Sequence, residues 1–152
     1  MPDQPNILLI TADDMNWDAV GAYGCPVEGT TPTIDRLAAE GMRFDHAHVT
    51  IAVCQPSRSA IMTGRYPHRS GGEGFHHLRT PGVPILPELL RGNGYRVGIL
   101  GKATHSTPHE GFKWDMTWDM DDLGHGRNPA IYRQYASAFI DEEKVAERPF
   151  FL

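Results

Sequence analysis

The sequence predicts an α/β protein with a mostly parallel sheet flanked by helices. Three observations lead there. Two short apolar runs, Ile7 to Ile10 and Tyr95 to Leu100, are followed by charge at Asp13-Asp14 and Lys102, as strands covered on both faces are at their polar ends. Segments with helical spacing alternate with these runs, the order that builds a parallel sheet through crossover helices. The composition is that of a globular chain: 152 residues, 40% hydrophobic, 14 Lys plus Arg against 19 Asp plus Glu, and a formal charge of -5.

Taken in order, the first strand is expected over Asn6 to Thr11, buried on both faces. Thr33 is expected to cap a helix over Ile34 to Glu40, with Ile34, Leu37 and Ala38 on one face and Gly41 as its stop. Met42 to Val49 alternates like a strand, which would set His46 and His48 in the core or at its rim. Pro56 fits the first turn of a helix over Ser57 to Met62, closed by Thr63-Gly64. Leu86 to Arg91 predicts a helix entered through Pro87 and ended by Gly92-Asn93-Gly94, with the second buried strand, Tyr95 to Leu100, after it. Gly101 to Pro129 reads as a loop rich in His, Asp and Trp, too long to lack a role in a compact domain. Ala130 to Lys144 carries Ile131, Tyr135, Ala138 and Phe139 at amphipathic helical spacing, and Pro149 to Leu152 reads as the start of a strand.

The composition also excludes several functions. A pI near 5.9 argues against a nucleic-acid or membrane-surface partner, both of which need clustered excess Lys and Arg. Eleven of the 14 basic residues are Arg, a fork-shaped donor suited to oxyanions, although codon bias yields the same count. Two cysteines, Cys25 and Cys54, do not make a disulfide scaffold. No apolar run is long enough to span a bilayer, and MPDQPNILLI lacks the basic start and small-residue cleavage site of a signal peptide, so neither is expected within this sequence; a signal peptide removed ahead of residue 1 stays open, and cytoplasm and periplasm are the alternatives for a location the sequence does not fix.

Charged groups fall at or just after the expected strand ends, where α/β sheets keep their ligands. Adjacent carboxylates repel unless a cation lies between them, so Asp13-Asp14 reads as half of a Ca²⁺ or Mg²⁺ site or, more blandly, as a solvated turn. Cys54 precedes a Pro-started helix with Arg58 four residues on, and both the helix end and the guanidinium would stabilise an anion. A cysteine phosphatase would need a longer spacing than the three residues between Cys54 and Arg58. Zinc has no second cysteine at ligand spacing, since Cys25 stands alone in a Gly/Pro turn. Asp115, Asp119, Asp121 and Asp122 with Trp114 and Trp118 fit either a sugar-stacking surface or a solvated face. His76-His77 fits either a pocket wall or a solvated loop; His68, His109 and His125 support no assignment.

The whole stretch CQPSRSAIMTGR, Cys54 to Arg65, resembles the signature of the type I sulfatases, in which the cysteine is oxidised to formylglycine. The resemblance runs along the chain. ILLITADD is similar to the family's first strand and metal-binding pair, TPTIDRLAAEGMRFDHAHV to its first helix and following strand, and LPELLRGNGYRVGILGK to the helix and strand that deliver its active-site lysine. Many members place a His nearer that lysine; the wider spacing of Lys102-Ala103-Thr104-His105 resembles the iduronate-sulfatase group, and the chain as a whole resembles glycan sulfatases of that and the heparan N-sulfatase kind. An alkaline-phosphatase-like sulfatase fold, truncated, is therefore expected.

The resemblance implies a mechanism. Formylglycine from Cys54 hydrates to a diol; one hydroxyl attacks sulfur and the other expels sulfate by reforming the aldehyde. Asp13, Asp14 and the diol oxygen of residue 54 would hold Ca²⁺, or Mg²⁺, which lowers the nucleophile's pKa and neutralises sulfate oxygens. Arg58 would orient the diol, Lys102 would add positive charge as the transition state spreads negative charge, and His105 would handle a diol proton. Arg65 reads as a structural anchor of the turn after the helix in preference to a direct sulfate contact. The expected partners are a sulfated carbohydrate or small sulfate ester and the formylglycine-generating enzyme. Family members are much longer, and their other metal ligands follow the point where this sequence stops, so residues 1–152 are expected to be the N-terminal part of a catalytic domain, inactive alone. The competing readings are a phosphonate monoester or phosphodiester hydrolase using the same modified cysteine, and a non-catalytic fragment holding half a site.

Overall fold

The computed structural model describes residues 4–75, 82–108 and 111–152. The chain divides into two compact units, one of Met1–Leu9 with Thr50–Leu152 and one of Ile10–Val49.

The larger unit is built on a parallel sheet. Strand β1 (Arg96–Leu100) lies between β2 (Met116–Trp118) and β3 (Phe150–Phe151), with Gly98 opposite Met116, Leu100 opposite Trp118, and Val97 opposite Phe151. β1 matches the expected second strand, and its centre is buried at Val97, Gly98 and Ile99. Around the sheet stand α2 (Cys54–Thr63), α3 (Pro67–Ser70), α4 (Leu86–Gly92), α5 (Ala103–Ser106) and α6 (Pro129–Ala146), and α1 (Pro32–Glu40) belongs to the other unit.

Alternation along the strands divides the apolar residues between two clusters. Met62, Tyr95, Val97 and Phe151 form one, flanked by Leu86 and Leu90 of α4; Phe139 of α6 forms the other with Phe150 and Leu152. A Cβ at Gly98 would lie 3.1 Å from the Phe139 ring and 3.0 Å from Met116, so the bare glycine lets α6 sit close to β1. Asn128 starts α6 by accepting from the N–H groups of Ala130 and Ile131. Near its end Glu143, whose side chain is fully inaccessible to solvent, accepts from Arg148 Nε at 2.7 Å and from Arg96 of β1. Burial pushes the Glu143 carboxyl up, but the hydrogen bonds and charges of Arg148 and Arg96 together outweigh it and hold the group below the usual carboxylate range.

Four expectations need correction. The first strand is not buried on both faces: Ile7 pairs with Phe151, and Leu9 donates to Leu152, but Leu8 is 55% and Ile10 76% exposed. Among the described residues the segment pairs with β3 and the residue after it, and β3 is two residues long. Met42 to Val49 is irregular rather than a strand, and His46 and His48 are exposed, because the segment is held by isolated bonds rather than a ladder, Tyr23 Oη donating to Phe44 O and Arg43 to Ala22 O. The first helix starts at Pro32, not after a Thr33 cap, since proline at the first helical position has no N–H to satisfy. Gly101 to Pro129 is not a plain loop, for it contains α5 and β2.

The smaller unit is held by polar contacts. Asp35 accepts from Ala22 N at 2.7 Å and from Thr31 Oγ1 at 2.9 Å, while Thr31 Oγ1 accepts from Gly21 N. A Cβ at Gly21 would lie 2.3 Å from Asp35, so that position needs a glycine. No helix among the described residues is long and apolar enough to cross a membrane.

Candidate active site

Helix α2 begins at Cys54 itself, after the extended residue Val53, rather than at Ser57 as expected. Pro56 is accommodated inside the first turn because the N–H groups there have no acceptor within the helix. Cys54 is therefore the first helical residue, half-buried and a free thiol, at the positive end of the helix dipole. Arg58 lies one turn on, so both side chains stand on one face. The opposite faces hold the helix in place: Gln55, Pro56, Ser59, Ala60 and Met62 are buried. Ser59 Oγ sits where a Cβ on Gly72 would come within 2.4 Å, so this helix and the chain after α3 pack backbone to side chain.

The end of α2 corrects the reading of Arg65. Gly64 adopts a left-handed conformation and donates to Ala60 O at 2.9 Å, and Thr63 Oγ1 donates to Ser59 O at 2.8 Å. These bonds close the turn. Arg65 is exposed, and it is its backbone N–H that reaches Thr63 Oγ1, so the guanidinium does not anchor the turn.

Lys102 and His105 arrive on α5, which packs against α2. β1 ends at Leu100, Gly101 turns with a positive φ, and Lys102 stands at φ 52°, a left-handed conformation that costs a non-glycine residue about 1–2 kcal/mol. Both Lys102 and His105 are half-buried, and the His105 ring meets Phe75 edge to face at 5.7 Å. The larger unit thus brings Cys54, Arg58, Lys102 and His105 onto two adjoining helical segments.

Asp13 and Asp14 belong to the smaller unit. Both are exposed in a bend after the first apolar run, and Asp14 is left-handed at φ 54°, a conformation Asp tolerates better than most residues. Their carboxylates fit a hard divalent cation in kind. They fall short in number, because Ca²⁺ takes about six to eight oxygens and no three His, Cys, Asp or Glu side chains gather as a cage among the described residues.

The acidic and tryptophan-rich stretch belongs to the scaffold. Trp114 meets Phe112 and stacks on Phe151, and Trp118 stacks on Tyr135 at 4.0 Å, so both rings take part in packing within the fold. Asp115 accepts from Val97 N and Arg91, and Asp119 from Ala103 N and Thr104 N, so neither is merely solvated. Asp121 faces His125 at the surface. His76, His77 and His109 lie outside the described residues, and His68 is exposed beside Tyr66. The roles of Asp119 and Glu143 escaped sequence reasoning because Ala103 and Arg96, the partners that tie them to other elements, lie 16 and 47 residues away, with no local pattern to mark them.

Comparison with known proteins gives three findings. The family described as Sulfatase matches residues 5–152. The chain is 46% identical to N-acetylgalactosamine-6-sulfatase from Sus scrofa, across 99% of this chain and 39% of that protein. It therefore spans well under half the length of that relative. Among solved structures, one determined in complex with its substrate D-glucosamine-2-N,6-O-disulfate is 32% identical with a TM-score of 0.65, over 73% of this chain and 22% of the other. A phosphonate monoester hydrolase of Agrobacterium radiobacter gives 25% and a TM-score of 0.57, over 76% and 25%. The expected α/β class, with a parallel sheet flanked by helices, agrees with these neighbours of alkaline-phosphatase-like fold.

Proposed function

This chain belongs to the sulfatase family, and we propose that it is the N-terminal part of a catalytic domain that hydrolyses sulfuric esters of a sulfated carbohydrate or small molecule. The observation that carries the proposal is the packing of α2, which bears Cys54 and Arg58, against α5, which follows Lys102 and bears His105.

Each residue has a task its surroundings suit. Cys54, in the peptide Cys-Gln-Pro-Ser-Arg, is the substrate of the formylglycine-generating enzyme, and as formylglycine it supplies an oxygen nucleophile that regenerates as an aldehyde when sulfate leaves. The amino end of α2 and Arg58 favour negative charge at that position. Lys102 binds sulfate oxygens and stabilises the charge they gain in the transition state. His105, half-buried against Phe75, takes or returns a proton at the nucleophile. Asp13 and Asp14 are the carboxylates that would hold a divalent cation, Ca²⁺ in preference to Mg²⁺, with further oxygens from the rest of the protein. A bound cation supplies positive charge toward the sulfate oxygens and lowers the pKa of the nucleophile.

The likeness to a phosphonate monoester hydrolase favours a second reading, in which the same residues act on a phosphonate monoester or phosphodiester. The full-length protein, co-expressed with the modifying enzyme, is expected to hydrolyse an aryl sulfate in preference to an aryl phosphodiester. A large preference for the diester would replace the first reading by the second.

A further inference from the structure

We propose that Asp119 is a positioning residue for the sulfate-binding lysine, an inference that rests on the role given to Lys102 above. Lys102 occupies a left-handed conformation at the junction of β1 and α5, and a lysine side chain cannot cap the helix it precedes. Two consecutive residues at the end of β2 clamp the flanks of that junction. Trp118 O accepts from Gly101 N at 2.7 Å on one side. Asp119 Oδ1 accepts from Ala103 N at 3.2 Å, and Asp119 Oδ2 from Thr104 N at 3.4 Å, on the other.

Asp119 is itself fixed. Its Oδ1 also accepts from Met120 N at 2.8 Å, and its own N–H donates to Asp122 Oδ2 at 3.0 Å. The register that sets Leu100 opposite Trp118 brings this dipeptide level with Leu100 and Gly101, immediately before Lys102. A carboxylate from another strand thus takes the place of the missing cap, satisfies two N–H groups at the start of α5, and holds the backbone angles that set where the Lys102 side chain leaves the chain. Ser106 N donates to Lys102 O at 2.9 Å, so the same clamp fixes the single turn that bears His105.

A double-mutant cycle in the full-length, modified protein tests this. Lys102→Ala is expected to lower kcat strongly. Asp119→Ala is expected to lower kcat by about tenfold or more with KM little changed, yet by less than about twofold when Lys102 is already alanine. Asp119→Asn, which keeps an acceptor for Ala103 N, is expected to recover most of the loss, and it replaces alanine in the cycle if that variant does not fold. Equal losses from the Asp119 substitution in both backgrounds, or no loss in either, would overturn the positioning role and leave that of Lys102 intact. An inert Lys102→Ala would overturn both.

Discussion

Between Thr50 and Leu152, side chains pack on the sheet in two apolar clusters; between Ile10 and Val49, Val20 alone is buried. The first region can fix a side chain by crowding it, as α2 is fixed by Gln55, Pro56, Ser59, Ala60 and Met62. The second depends on a few hydrogen bonds around Asp35, while Ile34 and Leu37 of its helix stay 39% and 55% exposed. The contrast separates the proposed chemistry in the same way. The candidate nucleophile and cationic residues stand on packed elements, and the carboxylate pair stands in the region with little buried apolar surface, the kind of segment that opens at low free energy and that a ligand would stabilise most.

The packed region should lose most when the charge network around the buried Glu143 is cut. Glu143→Ala leaves Arg96 and Arg148 without their buried partner and is expected to cost about 3–5 kcal/mol in urea unfolding. The wild-type contribution has a defined pH dependence. A carboxyl held below its ordinary value stabilises the fold in full above the unfolded pKa, near 4.5, and progressively less as pH falls through the folded value. Stability measured from pH 7 downward should therefore drop more steeply for wild type than for Glu143→Ala. Parallel curves would contradict the assignment.

The polar region should respond locally and more weakly. Asp35→Ala removes the acceptor for Ala22 N and the partner of Thr31, and it is expected to speed hydrogen exchange at Ala22 by about tenfold, roughly 1.4 kcal/mol, with the global unfolding midpoint little changed. A global loss as large as that from Glu143→Ala would erase the distinction between the two regions.

Legibility in the sequence follows the same division. The helices at Cys54–Thr63, Leu86–Gly92 and Pro129–Ala146 and the strand at Arg96–Leu100 were readable because periodicity, Pro entry and Gly exit are local signals backed here by packing. Ile7 to Ile10 and Met42 to Val49 carry the pattern of strands, but among the described residues the first has a short partner at Phe150 to Leu152 and the second makes no ladder, and no local signal reports a neighbour. Cys54, Arg58, Lys102 and His105 are singled out as candidates by a motif and its spacing alone. The left-handed turn at Lys102 and the carboxylate that caps it were not legible, since both arise from the register of β1 with β2.

The central claim is that Cys54, at the first position of α2, is converted to the nucleophile of a sulfatase. Mass spectrometry of the peptide containing Ile51 to Arg58, from full-length protein co-expressed with the formylglycine-generating enzyme and active on an aryl sulfate, tests it most directly. An aldehyde in place of the thiol, with Arg58→Ala lowering the modified fraction, is the predicted result; an unmodified Cys54 thiol throughout a fully active preparation would contradict it.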